Sequence, residues 1–384
     1  MQGKYRNRGT LAAFWTWREL LRWRLRSMVK WEPLKAAGPG CTVVIGMCSR
    51  LPDVLGANLR CLAASRWSDL RALIIAVDAT RTRAFDEIEA NARSYFPEVP
   101  VAFVYYSKEQ SAFAERLKLP FVYSWMSWCL AIAKVQTRHL LIHDYDALIV
   151  GPALGARYDE FCHSEAKVQG IRWYDGNGIL PEDRLCTTFE LFCDVEWFRS
   201  MPPLSHFNKV SLRGDRSVDY DTTLWVQARL AEDQRQIIPM DLNELVHPSQ
   251  MIHQYTMFRR LGPVPLPCFS MPMIPFFSAL GGRTDAITRA TQALDSMPAS
   301  NIELFSDGNH LNLERLDVAQ VDWAIKQMVQ TSLRLAIPPP RDFYAYGSAL
   351  YKAARAPEAL HWVGDFTDAQ RAWIAGAAAL ARGV

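Results

Sequence analysis

The chain has 384 residues, of which 49% are hydrophobic and 22% are charged, and its formal net charge is +3. This length and composition are typical of a globular protein with one or two domains and exclude disorder of the whole chain. No run of about 18 apolar residues predicts a membrane-spanning helix, no secretory leader is recognisable, and eight cysteines without a C-x-x-C pair indicate reduced thiols in the cytoplasm.

Charge and tryptophan are concentrated in the first 32 residues. This segment contains eight Lys/Arg and two Glu, a net charge of +6, so the remaining 352 residues carry −3. That balance excludes strong nucleic-acid binding by the main body. Within the segment, basic residues recur every four positions beside an apolar arc, and four of the chain's 13 tryptophans lie there. The recurring basic residues are Arg18, Arg22, Arg26 and Lys30.

This pattern predicts an amphipathic helix that lies on the anionic inner face of the plasma membrane. The alternative is a helix that packs on the main body with its arginines facing solvent. An Ala-Ala-Gly-Pro-Gly run at 36–40 breaks the helical pattern. Residues 1–40 are therefore predicted to form a basic helix and a linker.

The residues that follow alternate between strand and helix patterns. An apolar, β-branched run at 41–46 precedes a helical stretch, and a second apolar run at 70–77 ends on Asp78. Two buried strands joined by a helix predict a parallel βαβ unit. Ligands of such sheets bind at the carboxyl ends of the strands, so Ser49, Arg50 and Asp78 are predicted to face one crevice. The alternative role for Asp78 is to cap the next helix.

Two aspartates, Asp144 and Asp146, follow a further apolar strand at 139–143. Alternation along the strand is expected to bring both carboxylates to one side of the turn. Mg²⁺ and Mn²⁺ bind through one or two carboxylates together with substrate phosphates, so the pair predicts a site for Mn²⁺ or Mg²⁺ and a diphosphate ligand. The alternative is a pair of solvated aspartates at a strand end.

The order of these features resembles a glycosyltransferase of the GT-A fold, in particular the inverting family that includes many bacterial polysaccharide and lipopolysaccharide transferases. The likeness covers roughly residues 42–230 and includes the opening strand, the strand ending on Asp78, the Asp144/Asp146 pair, and Asp-Tyr-Asp-Thr-Thr-Leu-Trp at 219–225. The 66 residues from Asp78 to Asp144 exceed the family's usual interval, and the Asp-Asp-Gly-Ser ending common there is missing. The chain therefore resembles a divergent member.

The resemblance implies a Rossmann-like α/β domain with a mostly parallel central sheet that binds a nucleotide sugar. It implies that Asp78 contacts the nucleoside and that Asp144 and Asp146 hold the ribose and the metal that bridges the diphosphate. It also implies that a histidine late in the chain adds a metal ligand. His247 and His253 are the candidates, and we assign the role to His253.

Inverting transfer needs a base that takes a proton from the acceptor hydroxyl. Asp219 and Asp221 are the candidate catalytic residues, and Asp221 directly precedes a predicted helix, as the base of the resembled family does. The alternative is that Asp221 only caps this helix. Trp173 and Tyr174 precede a glycine-rich loop and are predicted either to stack on a sugar or to pack in the core.

The predicted function is metal-dependent, inverting transfer of a sugar from a UDP- or GDP-sugar to a glycan or lipid-linked acceptor at the cytoplasmic membrane face. The predicted organisation is a basic arm at 1–40, a GT-A domain at 41–335 and a helical C-terminal appendage at 336–384. The GT-A domain divides into a donor half at 41–150 and an acceptor half at 151–335, within which residues 261–282 are predicted to form either a lid or a surface crossing. One alternative is a nucleotidyltransferase of related fold, although the first strand is not followed by a basic, Gly-rich phosphate loop. The other is a non-catalytic, membrane-associated scaffold.

Overall fold

A computed structural model describes residues 1–34, 36–65, 67–241, 244–248, 250–262, 269–305, 307–340 and 342–354. Within these ranges the chain divides into two compact units. The first comprises Met1–Ser49, Ser65–Ala147 and Gly151–Leu245, and the second comprises Arg50–Ala64, Leu148–Val150 and Val246–Val384. The predicted divisions at 40, 150 and 335 stay predictions.

Strands and helices alternate through most of the described chain. The strands are β1 (Gln2–Gly3), β2 (Gly38–Met47), β3 (Leu70–Val77), β4 (Val101–Tyr105), β5 (Thr137–His143), β6 (Leu148–Ile149), β7 (Val168–Arg172), β8 (Cys186–Asp194), β9 (Lys209–Arg213), β10 (Arg216–Tyr220), β11 (Arg235–Ile238) and β12 (Leu245–Val246). The helices are α1 (Arg8–Leu25), α2 (Asp53–Ala64), α3 (Asp86–Ser94), α4 (Lys108–Leu117), α5 (Pro120–Ile132), α6 (Ala153–Cys162), α7 (Val195–Arg199), α8 (Leu224–Gln227), α9 (Met251–Leu261), α10 (Ile274–Leu280), α11 (Ala286–Ser296), α12 (Val318–Arg334) and α13 (Phe343–Ala353).

The first unit is built on a seven-stranded sheet with the order β11-β7-β8-β5-β2-β3-β4. β2 pairs in parallel with β3 and β5, β3 pairs in parallel with β4, and β11 does so with β7. β8 is antiparallel to both of its neighbours. This arrangement confirms the predicted α/β class with a mostly parallel central sheet.

The strands at the centre of this sheet are those with the strongest apolar runs. Val43, Val44 and Ile45 of β2 are fully buried, as expected for a parallel strand that is covered on both faces. β3 coincides with the predicted strand at 70–77. α4 lies outside the predicted helices, although its start carries a sequence signal: the Ser107 hydroxyl and the Gln110 side chain form a reciprocal capping box.

The basic N-terminal segment is integrated into the first unit. β1 pairs with β10, and one face of α1 is buried against α4 and α5 in an apolar cluster that includes Leu21 and Leu25. Arg18, predicted to belong to an exposed cationic stripe, is also buried and forms an ion pair with Asp219 at 3.3 Å. The outer face of α1 instead carries tryptophans. None of the helices in the described part of the chain combines the length and apolar composition that a membrane crossing requires.

This packing predicts that α1 contributes to the stability of the first unit. Leu25 is 0% exposed, and truncating a buried leucine to alanine typically costs about 2–5 kcal/mol. Leu25→Ala is therefore expected to lower the midpoint of urea unfolding. Leu20→Ala, on the same helix but 61% exposed, is the matched control and should unfold as the native protein does. Equal midpoints for the two variants would mean that α1 is not part of the cooperative unit.

The second unit is mainly helical. α2 packs closely on α10 at two glycines, because a Cβ on Gly56 would lie 2.2 Å from the carbonyl oxygen of Gly281, and a Cβ on Gly281 would lie 1.7 Å from the carbonyl oxygen of Asp53. Only glycine permits this backbone approach. Arg283 reinforces the contact with an ion pair to Asp53 at 3.3 Å.

The C-terminal part of the second unit includes α11, α12 and α13. α13 packs against α11 and α12, and the Tyr346 hydroxyl donates a hydrogen bond to the carbonyl oxygen of Pro272. The predicted appendage at 336–384 is described only up to residue 354, and 355–384 lie outside the described residues. The predicted lid includes 263–268, which also lie outside them.

Candidate active site

The carboxyl ends of β2, β3 and β5 lie side by side at one edge of the central sheet. Met47 of β2 pairs with Val77 of β3, and Ile45 of β2 pairs with His143 of β5. The loops after these strands therefore begin next to one another, as in other open parallel sheets that bind ligands at this edge. Asp78 and Asp144 directly follow β3 and β5, and Ser49 is the second residue after β2.

Asp78 and Ser49 are in contact, as the crevice prediction requires. The backbone N–H of Ser49 donates to Oδ1 of Asp78 at 2.7 Å, and the backbone N–H of Asp78 donates to the carbonyl oxygen of Met47 at 3.3 Å. Both side chains are half-buried. A carboxylate held at this position can accept hydrogen bonds from the hydroxyl or N–H groups of a nucleoside.

Tyr106 is a further neighbour of Asp78. Burial, with the charge of Asp78 as a second contribution, raises the pKa of the Tyr106 phenol well above its usual value, so this side chain stays neutral beside the carboxylate. Arg50 belongs to the second unit and has an exposed side chain. Its predicted role in nucleotide binding stays a prediction.

Asp144 and Asp146 lie in the turn after β5. The backbone N–H of Asp144 donates to the carbonyl oxygen of Phe189 on β8 at 3.0 Å, and the N–H of Ala147 donates back to the carbonyl oxygen of Asp144 at 3.1 Å. Asp144 is half-buried, and Asp146 is 5% exposed. Two carboxylates in one turn form a donor set that is chemically suited to a divalent cation that prefers oxygen ligands.

A charged cluster that the sequence does not indicate includes a residue of β8 next to the end of β5. Glu190 of β8 pairs with His143 in the β5–β8 register. Arg157 of α6 forms ion pairs with both Glu190 and Glu244. Burial raises the pKa of the Glu190 carboxyl, and the Arg157 guanidinium opposes this shift. These partners are separated by 33 and 87 positions, which is why no local pattern identifies them.

Asp221 occupies a loop between β10 and α8 and does not cap the helix with its side chain. Its Oδ1 accepts hydrogen bonds from Nδ2 of Asn208 at 2.6 Å and from the backbone N–H of Thr222 at 2.8 Å. Thr223 takes the N-cap position, in the left-handed conformation at φ 67°. The Asp221 carboxylate is therefore oriented by Asn208 and the adjacent backbone, as a positioned base requires.

Asp219, the other candidate base, is engaged with the N-terminal segment. Its Oδ2 accepts from the Tyr5 hydroxyl at 2.8 Å and from the Arg18 guanidinium at 3.3 Å. Burial raises the pKa of the Asp219 carboxyl, Arg18 and Tyr5 oppose this shift, and the charge of Asp221 adds to it. To act as a base, Asp219 would have to leave an ion pair that anchors α1, so the geometry favours Asp221.

An exposed aromatic ring lies near Asp221. Trp173 and Tyr174 stack with ring centroids 4.3 Å apart; Trp173 is buried, whereas Tyr174 is 58% exposed. Partial burial and then the charge of Asp221 raise the pKa of Tyr174 to about 12. The two predicted outcomes for these aromatics are therefore divided between them: Trp173 packs in the core, and Tyr174 presents a ring to solvent.

The loop after Tyr174 is held in place by backbone contacts. Gly178 has φ +81°, and a Cβ at this position would lie 2.1 Å from the carbonyl oxygen of Ser217, so only glycine fits. The carbonyl oxygen of Asn177 accepts a hydrogen bond from the backbone N–H of Asp219 at 2.9 Å. The glycine-rich loop is thereby attached to β10, the strand that leads to Asp221.

The two candidate histidines belong to the second unit. His247 is the first residue after β12 and is half-buried. His253 lies on α9 and is exposed. The assignment of the additional metal ligand to His253 stays a prediction.

Comparison with known proteins identifies structural similarities at low sequence identity. No protein-family model matches the chain, and no curated protein matches it. Similar solved structures include the mannosyltransferase PcManGT from Pyrobaculum calidifontis in complex with GDP-Man and Mn²⁺, with 13% identity, 97% of this chain and 90% of that chain covered, and a TM-score of 0.36. They also include residues 1–349 of TarS from S. aureus, with 11% identity, coverage of 83% and 88%, and a TM-score of 0.37.

A third similar structure is core-mannan synthase A from Aspergillus fumigatus in an Mn/GDP form, with 9% identity, coverage of 44% and 66%, and a TM-score of 0.30. Mannosyltransferases among these structures belong to the class of protein that the sequence resemblance indicates.

Proposed function

We propose that the protein is a metal-dependent glycosyltransferase that moves a sugar from a nucleotide-sugar donor to an acceptor hydroxyl with inversion at the anomeric carbon. The observation that carries the proposal is the edge of the central sheet, where Asp144 and Asp146 follow β5 and the Ser49–Asp78 pair follows β2 and β3. The Asp78 carboxylate is suited to a nucleoside, and those of Asp144 and Asp146 are suited to a metal ion that binds a diphosphate. A nucleotide sugar contains both a nucleoside and a diphosphate.

The donor is a UDP- or GDP-sugar. Asp78 would accept hydrogen bonds from the nucleoside, in a position set by the Ser49 N–H. Asp144 would hold the ribose and, with Asp146, a Mn²⁺ or Mg²⁺ ion on the diphosphate. When bound, this ion neutralises the charge of the departing nucleoside diphosphate.

The third ligand for the metal would be a histidine late in the chain, His253 or His247. Two aspartates and a histidine would supply two carboxylate oxygens and an imidazole nitrogen, a donor set that suits Mn²⁺.

The acceptor is a glycan or a lipid-linked sugar. Asp221 would take the proton of its hydroxyl as the hydroxyl oxygen bonds to the anomeric carbon, and the bond from that carbon to the nucleoside diphosphate would break with its electron pair leaving on the diphosphate. The exposed ring of Tyr174, which lies close enough for its pKa to be affected by Asp221, offers a surface on which a sugar ring can stack.

The proposed location is the cytoplasmic side of the plasma membrane, with the protein bound peripherally through α1. Trp15 and Trp23 are exposed on this helix, and basic residues surround it. Tryptophan and arginine are the side chains that favour the interface of an anionic membrane.

The proposal predicts metal-dependent stabilisation by nucleoside diphosphates. UDP or GDP at a hundred times its dissociation constant is expected to stabilise the protein by about 2.7 kcal/mol, because it binds only the folded state. The shift in melting temperature should require Mn²⁺ or Mg²⁺, and purified protein with the metal should slowly hydrolyse the matching nucleotide sugar. No shift with either nucleotide would favour a non-catalytic scaffold. Release of pyrophosphate from a nucleoside triphosphate and a sugar phosphate would favour a nucleotidyltransferase.

A further inference from the structure

α1 exposes a face that is not used for packing within the first unit. Its buried face includes Leu21 and Leu25, while Trp15, Leu20 and Trp23 are exposed, with Trp23 at 52%. Exposing large aromatic side chains to water is unfavourable, and tryptophan is enriched where an apolar phase meets a polar one. This face is suited to the interfacial layer of a membrane.

A basic cleft adjoins this face where α1 ends. The cleft has a volume of about 530 Å³, and its lining includes Trp23, Arg24 and Arg26 from the α1 end and Phe113 and Arg116 from α4. The guanidinium carbons of Arg24 and Arg26 lie 5.0 and 5.1 Å from the Trp23 ring, and that of Arg116 lies 5.6 Å from the Phe113 ring. Stacking on a ring restricts an arginine side chain while leaving its N–H donors available.

The charges of the cleft select an anion. Its lining contains three arginines and one carboxylate, Glu109. A guanidinium presents parallel N–H donors that match two oxygens of a phosphate, and such charge-assisted pairs are among the stronger hydrogen bonds in proteins. Trp23 belongs both to the cleft and to the exposed face of α1, so an anion in the cleft would lie beside the layer in which the tryptophans rest.

We propose that this cleft binds the phosphate of an anionic lipid headgroup while the tryptophans of α1 lie in the interfacial layer. The inference rests on the membrane location in the proposed function and does not depend on sugar transfer. It assigns a specific phosphate site to the surface between the end of α1 and α4, in addition to the general attraction of a basic helix.

The test is binding to vesicles of phosphatidylcholine with and without about one third phosphatidylglycerol. Each basic residue near an anionic surface contributes about 1 kcal/mol, or about fivefold in affinity. The variant carries Arg24→Gln, Arg26→Gln and Arg116→Gln. The control carries Arg83→Gln, Arg138→Gln and Arg172→Gln, three exposed arginines outside the cleft lining. The native protein should bind only the anionic vesicles.

The cleft variant should bind anionic vesicles about a hundredfold more weakly, and the control should change less than about fivefold. Equal weakening of both would overturn the cleft and leave only net charge. Undiminished binding of the cleft variant would also overturn it, as would release of the native protein from vesicles by millimolar inorganic phosphate, which would indicate a site for free phosphate. Melting temperatures of both variants check folding, and the single changes Arg116→Gln and Arg138→Gln repeat the comparison without altering α1. The vesicle assay contains no nucleotide sugar. A negative vesicle result would therefore contradict the cleft without bearing on sugar transfer, and a negative result in the nucleotide assays would leave the vesicle result unchanged.

Discussion

Asp221→Asn is expected to bind the nucleoside diphosphate and Mn²⁺ with native affinity and to transfer sugar at least about a hundredfold more slowly, because it removes the group that accepts the acceptor proton. Asparagine keeps an Oδ1 that can accept from Asn208 and from the Thr222 N–H, so the loop should keep its conformation. The measurements are the rate of transfer at saturating donor and the melting temperature, which should agree with the native value within a few degrees.

Asp219→Asn is the matched comparison for this experiment. It removes the charge that pairs with the buried Arg18, and leaving a buried charged group without its partner costs at least about 1–3 kcal/mol. We expect a lower melting temperature and, in the fraction that stays folded, transfer within about tenfold of the native rate. An inactive but stable Asp219→Asn together with an active Asp221→Asn would reverse the two roles. Full activity of both would mean that the base lies elsewhere.

Asp146→Asn is expected to abolish the contribution of Mn²⁺ to nucleotide binding. The affinity of the nucleoside diphosphate in Mn²⁺ should fall at least about a hundredfold, to the value measured with a chelator, because a charged oxygen ligand of the metal becomes a neutral one. The measurement is a calorimetric titration with and without Mn²⁺. Asp146 is almost fully buried, and replacing its charge with a neutral amide of the same size should leave the fold intact.

The control for this variant is Asp159→Asn, an exposed aspartate on α6. It makes the same chemical change at the surface and should bind nucleotide as the native protein does. Native affinity of Asp146→Asn in Mn²⁺ would contradict the metal assignment. The variants His247→Ala and His253→Ala identify the third ligand. The variant that binds Mn²⁺ more weakly has lost the histidine that coordinates the metal.

The sequence by itself determined the central strands and the residues that end them. The apolar runs of β2 and β3 are local patterns, and a buried strand followed by a carboxylate can be recognised without its neighbours. The same holds for Asp144 and Asp146, because they closely follow the apolar residues of β5 in the sequence. In parallel strands these ends necessarily meet at one edge, so Ser49 and Asp78 could be predicted to face one crevice.

Only the tertiary structure decided how the two candidate bases differ and which face of α1 is buried. The sequence favours Asp221 only through its place directly before the predicted helix, whereas the engagement of Asp219 depends on Arg18, which lies 201 positions away. The charge pattern of α1 predicts an amphipathic helix but not that an arginine would be buried and tryptophans exposed. A helix periodicity identifies two faces, and the partner that each face meets is set by contacts between residues far apart in the chain.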